Sequence, residues 1–321
     1  MLARFLLGPA GSGKTHRCLA DARAALRASA DGPPIVLLAP KQATFQLERQ
    51  LLAEPGLAGY TRLRILSFER LAEFVLEQLG APPLSRLSEE GRVMVLRALL
   101  ARRRDDLRLF RASARLPGFA RQLSGLLREF QRYHLTTARL ETLAAQLGAE
   151  SLGPKLHDLA VLLRAYQDWL AAHQLQDADG LLDAATTALR RLRSQTHPAG
   201  DGTKPTATGE EYQLDLPLFD ISPAGLKFQL AGVWLDGFAE MTPQELDLLA
   251  AVLTFSDQAT LAFCIESIPQ GETSWLSTWA PVSQTFRRCH QRLSALPEVK
   301  CAIEVLPRDP ARNRFSASPV L

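Results

Sequence analysis

Gly8-Pro9-Ala10-Gly11-Ser12-Gly13-Lys14-Thr15 spells G-x-x-x-x-G-K-T, a spacing with a defined chemical use. The glycines let backbone N–H groups turn into the loop and cradle phosphate oxygens. Lys14 would neutralise the β- and γ-phosphates, and the Thr15 hydroxyl would ligate Mg2+. With only six lysines in the chain, a chance match is rare. Gly8, Gly11, Ser12, Gly13, Lys14 and Thr15 are therefore the expected cofactor-binding residues, with ATP and Mg2+ as the cofactors.

Such a site also needs an acid at the end of a neighbouring strand. Asp236, directly after Gly232-Val-Trp-Leu, is the acid that follows a buried apolar run, and it is expected to hold Mg2+ through water. Enzymes that turn nucleotide over in this way place a Glu next, to position the attacking water. Here the next residue is Gly237, which can do no acid–base work, and losing such a group typically forfeits about 10²–10⁴ in rate. Glu240 is a substitute four residues on. The later segment Cys264-Ile-Glu-Ser lacks the Gly-Asp-x-x-Gln that would sense a γ-phosphate. The residues support binding better than turnover, and no catalytic residue is assigned.

The elements that must position these groups follow from patterning. Residues 3–8 form a short apolar strand into the glycine turn, with a helix through about Ala28. Ile35 to Ala39 form a second strand, followed by a helix whose apolar members are Phe45, Leu47, Leu51 and Leu52. Leu63 to Leu66 form a third, ending at Ser67-Phe68. Strand–helix alternation with short joints predicts a parallel sheet covered by helices. From about 84 to 193 the strand signal disappears. Phe119, Leu123, Leu126, Leu127 and Phe130 mark one helix face there, and Leu156, Leu159, Leu163, Tyr166 and Leu170 another. Residues 194–228 are polar and broken by Gly and Pro, which predicts a flexible surface loop. Strand signal returns at Gly232–Asp236. Thr242-Pro-Gln-Glu245 then opens a helix with a Thr cap, Pro at its first position and Glu at its third. Two further strands, Thr260 to Ile265 and Cys301 to Leu306, flank a helix around Phe286 to Leu293.

Composition sets the outer bounds. The 46% hydrophobic and 22% charged content is that of an ordinary globular protein, and no run of eighteen apolar residues offers a membrane span. The apolar run Phe5–Leu7 is too short for a signal peptide, so a cytoplasmic protein is expected. Cys18, Cys264, Cys289 and Cys301 lack paired spacing and read as buried thiols. A net charge of +3 decides little, but residues 86–132 hold twelve Arg against five acids. That local excess suits either a polyanion or a solvated helical face.

The glycine loop, Leu38-Ala-Pro-Lys-Gln-Ala-Thr-Phe, Leu66-Ser-Phe-Glu-Arg-Leu, Leu127-Arg-Glu-Phe-Gln-Arg-Tyr, Lys155-Leu-His-Asp-Leu and Leu235-Asp-Gly-Phe-Ala-Glu-Met-Thr-Pro-Gln-Glu occur in this order. Together these blocks resemble the AddB subunit of AddAB-type helicase–nucleases, over nearly the whole chain apart from the 194–228 loop. The resemblance implies an α/β fold: a RecA-like P-loop domain with a parallel sheet at 1–80 and 229–321, interrupted by an all-helical inserted domain at 84–193. It implies a helicase-like subunit, deficient in hydrolysis, that handles single-stranded DNA in double-strand-break repair by recombination, with an AddA-type subunit as motor. Gln42, Thr44, Phe68 and Arg70 would then sit at strand ends facing the DNA strand, with Phe238 nearby. An aromatic for stacking, an Arg for phosphate and small polar groups for base edges suit that task. Family members continue into a second helicase-like domain and an iron–sulfur nuclease, so the chain is expected to be a fragment or truncated product. No nuclease or cluster residue is carried over. Three rival readings stay open: an active DNA-stimulated motor, a small-molecule P-loop kinase, and an inert interaction fragment.

Overall fold

The computed structural model of the chain describes residues 1–53, 59–81, 85–116, 118–148, 152–196, 228–271, 274 and 276–307. Two compact units divide it, one from Met1–Gln78 with Ala224–Leu321 and the other from Leu79–Pro223. In chain order the first unit begins with β1 (Leu2–Leu7), α1 (Lys14–Ala28), β2 (Ile35–Leu38), α2 (Thr44–Leu52), β3 (Leu63–Leu66) and α3 (Phe68–Gln78). The second unit holds α4 (Glu89–Arg102), α5 (Phe119–Arg132), α6 (Thr137–Leu147), α7 (Leu152–Ala172) and α8 (Gly180–Thr196). The first unit resumes with β4 (Gly232–Leu235), α9 (Pro243–Leu253), β5 (Gln258–Phe263), α10 (Ala280–Ser294) and β6 (Lys300–Val305).

The six strands form one parallel sheet in the order β3-β2-β4-β5-β1-β6. The expected α/β class with a parallel sheet is present. Every residue of the interior strands β2 and β4 is buried, as their unbroken apolar runs require in a sheet covered on both faces. The edge strands β3 and β6 instead carry exposed positions, among them Arg64 and Lys300, which discourage further pairing. Cys18, Leu19 and Ala22 of α1 and Leu47 and Leu51 of α2 pack on one face, against Leu6, Leu37 and Trp234. On the other face Phe5, Phe263 and Phe286 of α10 gather with ring centroids 5.6–6.1 Å apart.

Helix ends follow the local chemistry. Glu245 N donates to Thr242 Oγ1 at 3.3 Å while Thr242 N donates to Glu245 Oε2 at 2.7 Å, which completes the predicted capping box at the start of α9. Of the four apolar members of α2, Leu47 and Leu51 are buried, whereas Phe45 is 75% exposed and Leu52 faces solvent too. One expectation is corrected. Ser194 to Thr196 belong to α8 rather than to a loop, and residues 197–227 of the expected flexible loop lie outside the described residues. Cys18 and Cys289 are buried as expected, whereas Cys264 and Cys301 are partly exposed. Among the described residues no helix is long and apolar enough to cross a membrane.

The described residues of the second unit form helices, joined by turns and one isolated parallel bridge between Arg86 and Gln176, with Leu96, Leu123, Leu127, Leu159, Leu163 and Tyr166 in its core. Two buried polar clusters fix it. The Asp158 carboxylate accepts the backbone N–H groups of Arg108, Leu109 and Phe110, each at 2.8 Å. The Arg92 guanidinium is buried against Asp179 at 2.7 Å, Asp177 at 3.5 Å and the side-chain Oε1 of Gln131 at 2.6 Å. Tyr166 completes that cluster by donating its hydroxyl to Asp177 at 3.0 Å.

Candidate functional site

In a parallel sheet every strand points its carboxyl end to the same edge, so the loops after β1, β2, β3, β4 and β5 crowd together there. Ligands of open α/β sheets bind outside that edge. The glycine loop leaves β1, and Asp236 leaves β4, with β5 between them.

The loop turns tightly into α1. Gly11 (φ 82°) and Gly13 (φ 88°) are left-handed. Gly8 meets its surroundings so closely that a Cβ would lie 2.4 Å from Ser12 Oγ and 2.9 Å from the Leu306 carbonyl oxygen. The Lys14 ammonium is buried and folded back over the loop, donating to the carbonyl oxygens of Gly8 and Pro9 at 2.6 Å each and to Ser12 Oγ at 3.3 Å. Burial lowers its pKa below the ordinary lysine value, opposed by the nearby Asp236 carboxylate. The Thr15 hydroxyl donates to Asp236 Oδ2 at 2.5 Å. Burial raises the Asp236 pKa above the usual carboxylate value, opposed by that hydroxyl, by Lys14 and by the Gly237 N–H. One ammonium, one carboxylate and one hydroxyl thus converge at the mouth of a helix whose N-terminus favours anions. That donor set fits a triphosphate with a hard divalent cation, the hydroxyl as direct ligand and the carboxylate within reach through water.

Gly237 follows with φ 85°, and a Cβ there would sit 3.2 Å from Cδ of Pro40. Glu240 is exposed beyond the turn, and Glu266 is exposed beyond β5. No carboxylate directly follows Asp236.

The second group of expected residues gathers on the other half of the same edge, because β3, β2 and β4 are adjacent. Gln42 is exposed in the turn after β2. Thr44 opens α2, its hydroxyl donating to the Lys41 carbonyl oxygen at 3.0 Å. Arg70 is exposed on the first turn of α3. Phe68 departs from expectation: only 3% exposed, it packs edge-on against Phe238 with centroids 5.1 Å apart and presents no open ring face. Its place at the head of the buried stripe Phe68, Leu71, Ala72 and Val75, spaced i, i+3, i+4 and i+7, explains this. Phe238 is half-buried. The aromatic that does face solvent on this edge is Phe45, which was not among the expected site residues. Its signal was present: at 3.6 residues per turn Leu47 and Leu51 lie about 200–240° around α2 from Phe45, so the four apolar residues make two stripes.

The basic segment is less free than its composition implied. Arg92, Arg128 and Arg132 converge on Asp179. Arg103 pairs with Asp106 and Arg111 with Asp105. Arg97, Arg102, Arg108, Arg115 and Arg121 remain exposed with no side-chain pairing among the described residues.

Comparison with known proteins covers most of the chain. The family described as ADDB, N-terminal matches residues 5–196 and 220–321. The B-type subunit of an ATP-dependent helicase/deoxyribonuclease from Symbiobacterium thermophilum is 39% identical over 267 residues, 82% of this chain and 20% of that protein. The protein of the same name from Pelotomaculum thermopropionicum is 36% identical over 293 residues, 90% of this chain and 22% of its own length. That of Acetivibrio thermocellus is 27% identical across 100% of this chain and 25% of its own. The chain therefore spans about a fifth to a quarter of the curated relatives it matches.

Proposed function

The chain belongs to the AddB N-terminal family, and from that premise we propose that it binds ATP with Mg2+, hydrolyses it poorly and guides single-stranded DNA. It would do so as the helicase-like part of a complex that prepares broken DNA for recombination. The first unit is read as a RecA-like P-loop domain, with the helical unit as its insertion. The observation that carries the nucleotide reading is the convergence of Lys14, Thr15 and Asp236 over the glycine loop. Lys14 would exchange its two loop carbonyls for phosphate oxygens, and Thr15 and Asp236 would hold the cation. Bound Mg2+ would supply charge neutralisation at those phosphate oxygens. Weak turnover is inferred from Gly237, which carries no carboxylate and whose positive φ and close Pro40 ring would strain any side chain placed there. The relatives are named as one subunit of a helicase/deoxyribonuclease, which supports an AddA-type partner, and a cytoplasmic setting goes with that work. Gln42, Thr44, Arg70 and Phe238 are retained as DNA contacts, with Phe68 as the packing that holds Phe238 in place.

The test is thermal melting with and without ATP and Mg2+. A ligand that binds only the folded state stabilises by about 2.7 kcal/mol at a hundredfold excess over Kd. That gain should vanish in Lys14→Ala and on chelation of the metal, while steady-state phosphate release stays far below the ~10 s⁻¹ typical of enzymes. A folded wild-type chain whose melting ignores nucleotide would overturn the nucleotide reading, and turnover near that typical rate would restore the motor.

A further inference from the structure

Among the described residues of the first unit Phe45 is the most exposed large apolar side chain, and it stands in the turn-to-helix passage after β2, beside Gln42 and Thr44. Among the described residues nothing packs over it as core, since α2 seats itself on the sheet through Leu47 and Leu51. Its surroundings are cationic. Lys41 precedes it by four residues and Arg49 follows by four, about 6 Å further along the helix axis. Both are exposed, and neither makes a side-chain hydrogen bond or ion pair among the described residues. Arg70, exposed on α3 after the neighbouring strand β3, adds a third cation to this edge. Of the nearby acids, Glu48 accepts the Tyr60 hydroxyl at 2.6 Å and Glu69 is exposed.

We infer that Phe45, flanked by Lys41 and Arg49, is the base-stacking platform of the single-strand track, the role that the buried Phe68 ring does not fill. The inference rests on the DNA reading above and adds to it the group that touches the bases. An open aromatic face between unpaired cations matches what a single strand offers, a flat base with a phosphate on either side. A protein partner would satisfy the ring but not the surplus of the Lys41, Arg49 and Arg70 cations over the Glu48 and Glu69 carboxylates.

The experiment is fluorescence anisotropy of the 321-residue chain with labelled oligothymidylate and with an abasic oligomer of equal length, at low salt and at two salt concentrations. Wild type should prefer the oligomer that carries bases. Phe45→Ala should weaken that binding about 5- to 150-fold, to the abasic level, without weakening abasic binding. Phe45→Trp should restore the preference. Lys41→Ala and Arg49→Ala should weaken both oligomers alike and each lower the salt slope by roughly one contact. Because Phe45 is exposed, its variants should melt like wild type. Wild-type binding that Phe45→Ala leaves unchanged overturns the inference and leaves the DNA reading standing, with a protein partner as the occupant of the ring. Wild type that binds neither oligomer overturns the DNA reading and this inference with it.

Discussion

Asp236 and Gly237 are neighbours with opposite roles. The carboxylate is held by Thr15, and the next residue turns the chain left-handed at φ 85°. A side chain in that conformation costs about 1–2 kcal/mol, before any clash with Pro40. Gly237→Glu is therefore expected to lower the melting temperature and to leave phosphate release at the wild-type level, because the new carboxylate would start from a misdirected Cβ. A Gly237→Glu protein that melts normally and hydrolyses ATP tens of times faster with DNA present would show that only the missing side chain holds back catalysis. Lys14 is poised differently. Its contacts with the Gly8 and Pro9 carbonyls are the ones a phosphate would displace, so on the proposed reading the side chain would move while the loop would stay.

Elements were easier to read than faces. The strands were legible because interior strands of a parallel sheet are bare apolar runs, and the glycine loop because its spacing has few other uses. Which aromatic looks outward depends on angle around a helix, and α2 and α3 show the cost of counting apolar residues without placing them. Phe68 heads a buried stripe and Phe45 stands off one. The basic segment misled for a related reason: composition counts Arg92, Arg128 and Arg132 as free charge, whereas residues 177–179, far along the chain, neutralise them. Asp158 was legible only as part of the Lys155-Leu-His-Asp-Leu block, and its task is to accept the backbone N–H groups of residues 108–110. Asp158→Ala would leave three backbone donors at 108–110 without their acceptor. An unsatisfied buried group costs about 1–3 kcal/mol, and since these three donors are only part-buried a total loss of about 1–3 kcal/mol is expected, measured as an earlier urea transition of α-helical signal. Asp158→Asn, which keeps one oxygen, should lose less. Equal midpoints for wild type and Asp158→Ala would show that solvent replaces the carboxylate at no cost.

At the scale of the whole molecule, one chain supplies one sheet from two distant stretches. β2 and β3 pair soon after they are made, but both neighbours of β1 are β5 and β6, so Leu2 waits for Gln258. Contacts of such sequence separation slow folding, because the entropy of closing the loop precedes any reward. The helical unit relies on nearer contacts and is expected to form first. Pulse-labelled hydrogen exchange during refolding should find amides of α5 and α7 protected before those of β1, and simultaneous protection would refute the order. The same topology sets a clock for synthesis. At about 5–20 residues per second, a ribosome needs roughly 10–50 s between releasing β1 and releasing its partner. Through that interval Phe5, Leu6 and Leu7 have no strand to lie against. The parallel pairing that later buries them so completely makes the newborn chain a client for chaperones before it is a ligand for anything else.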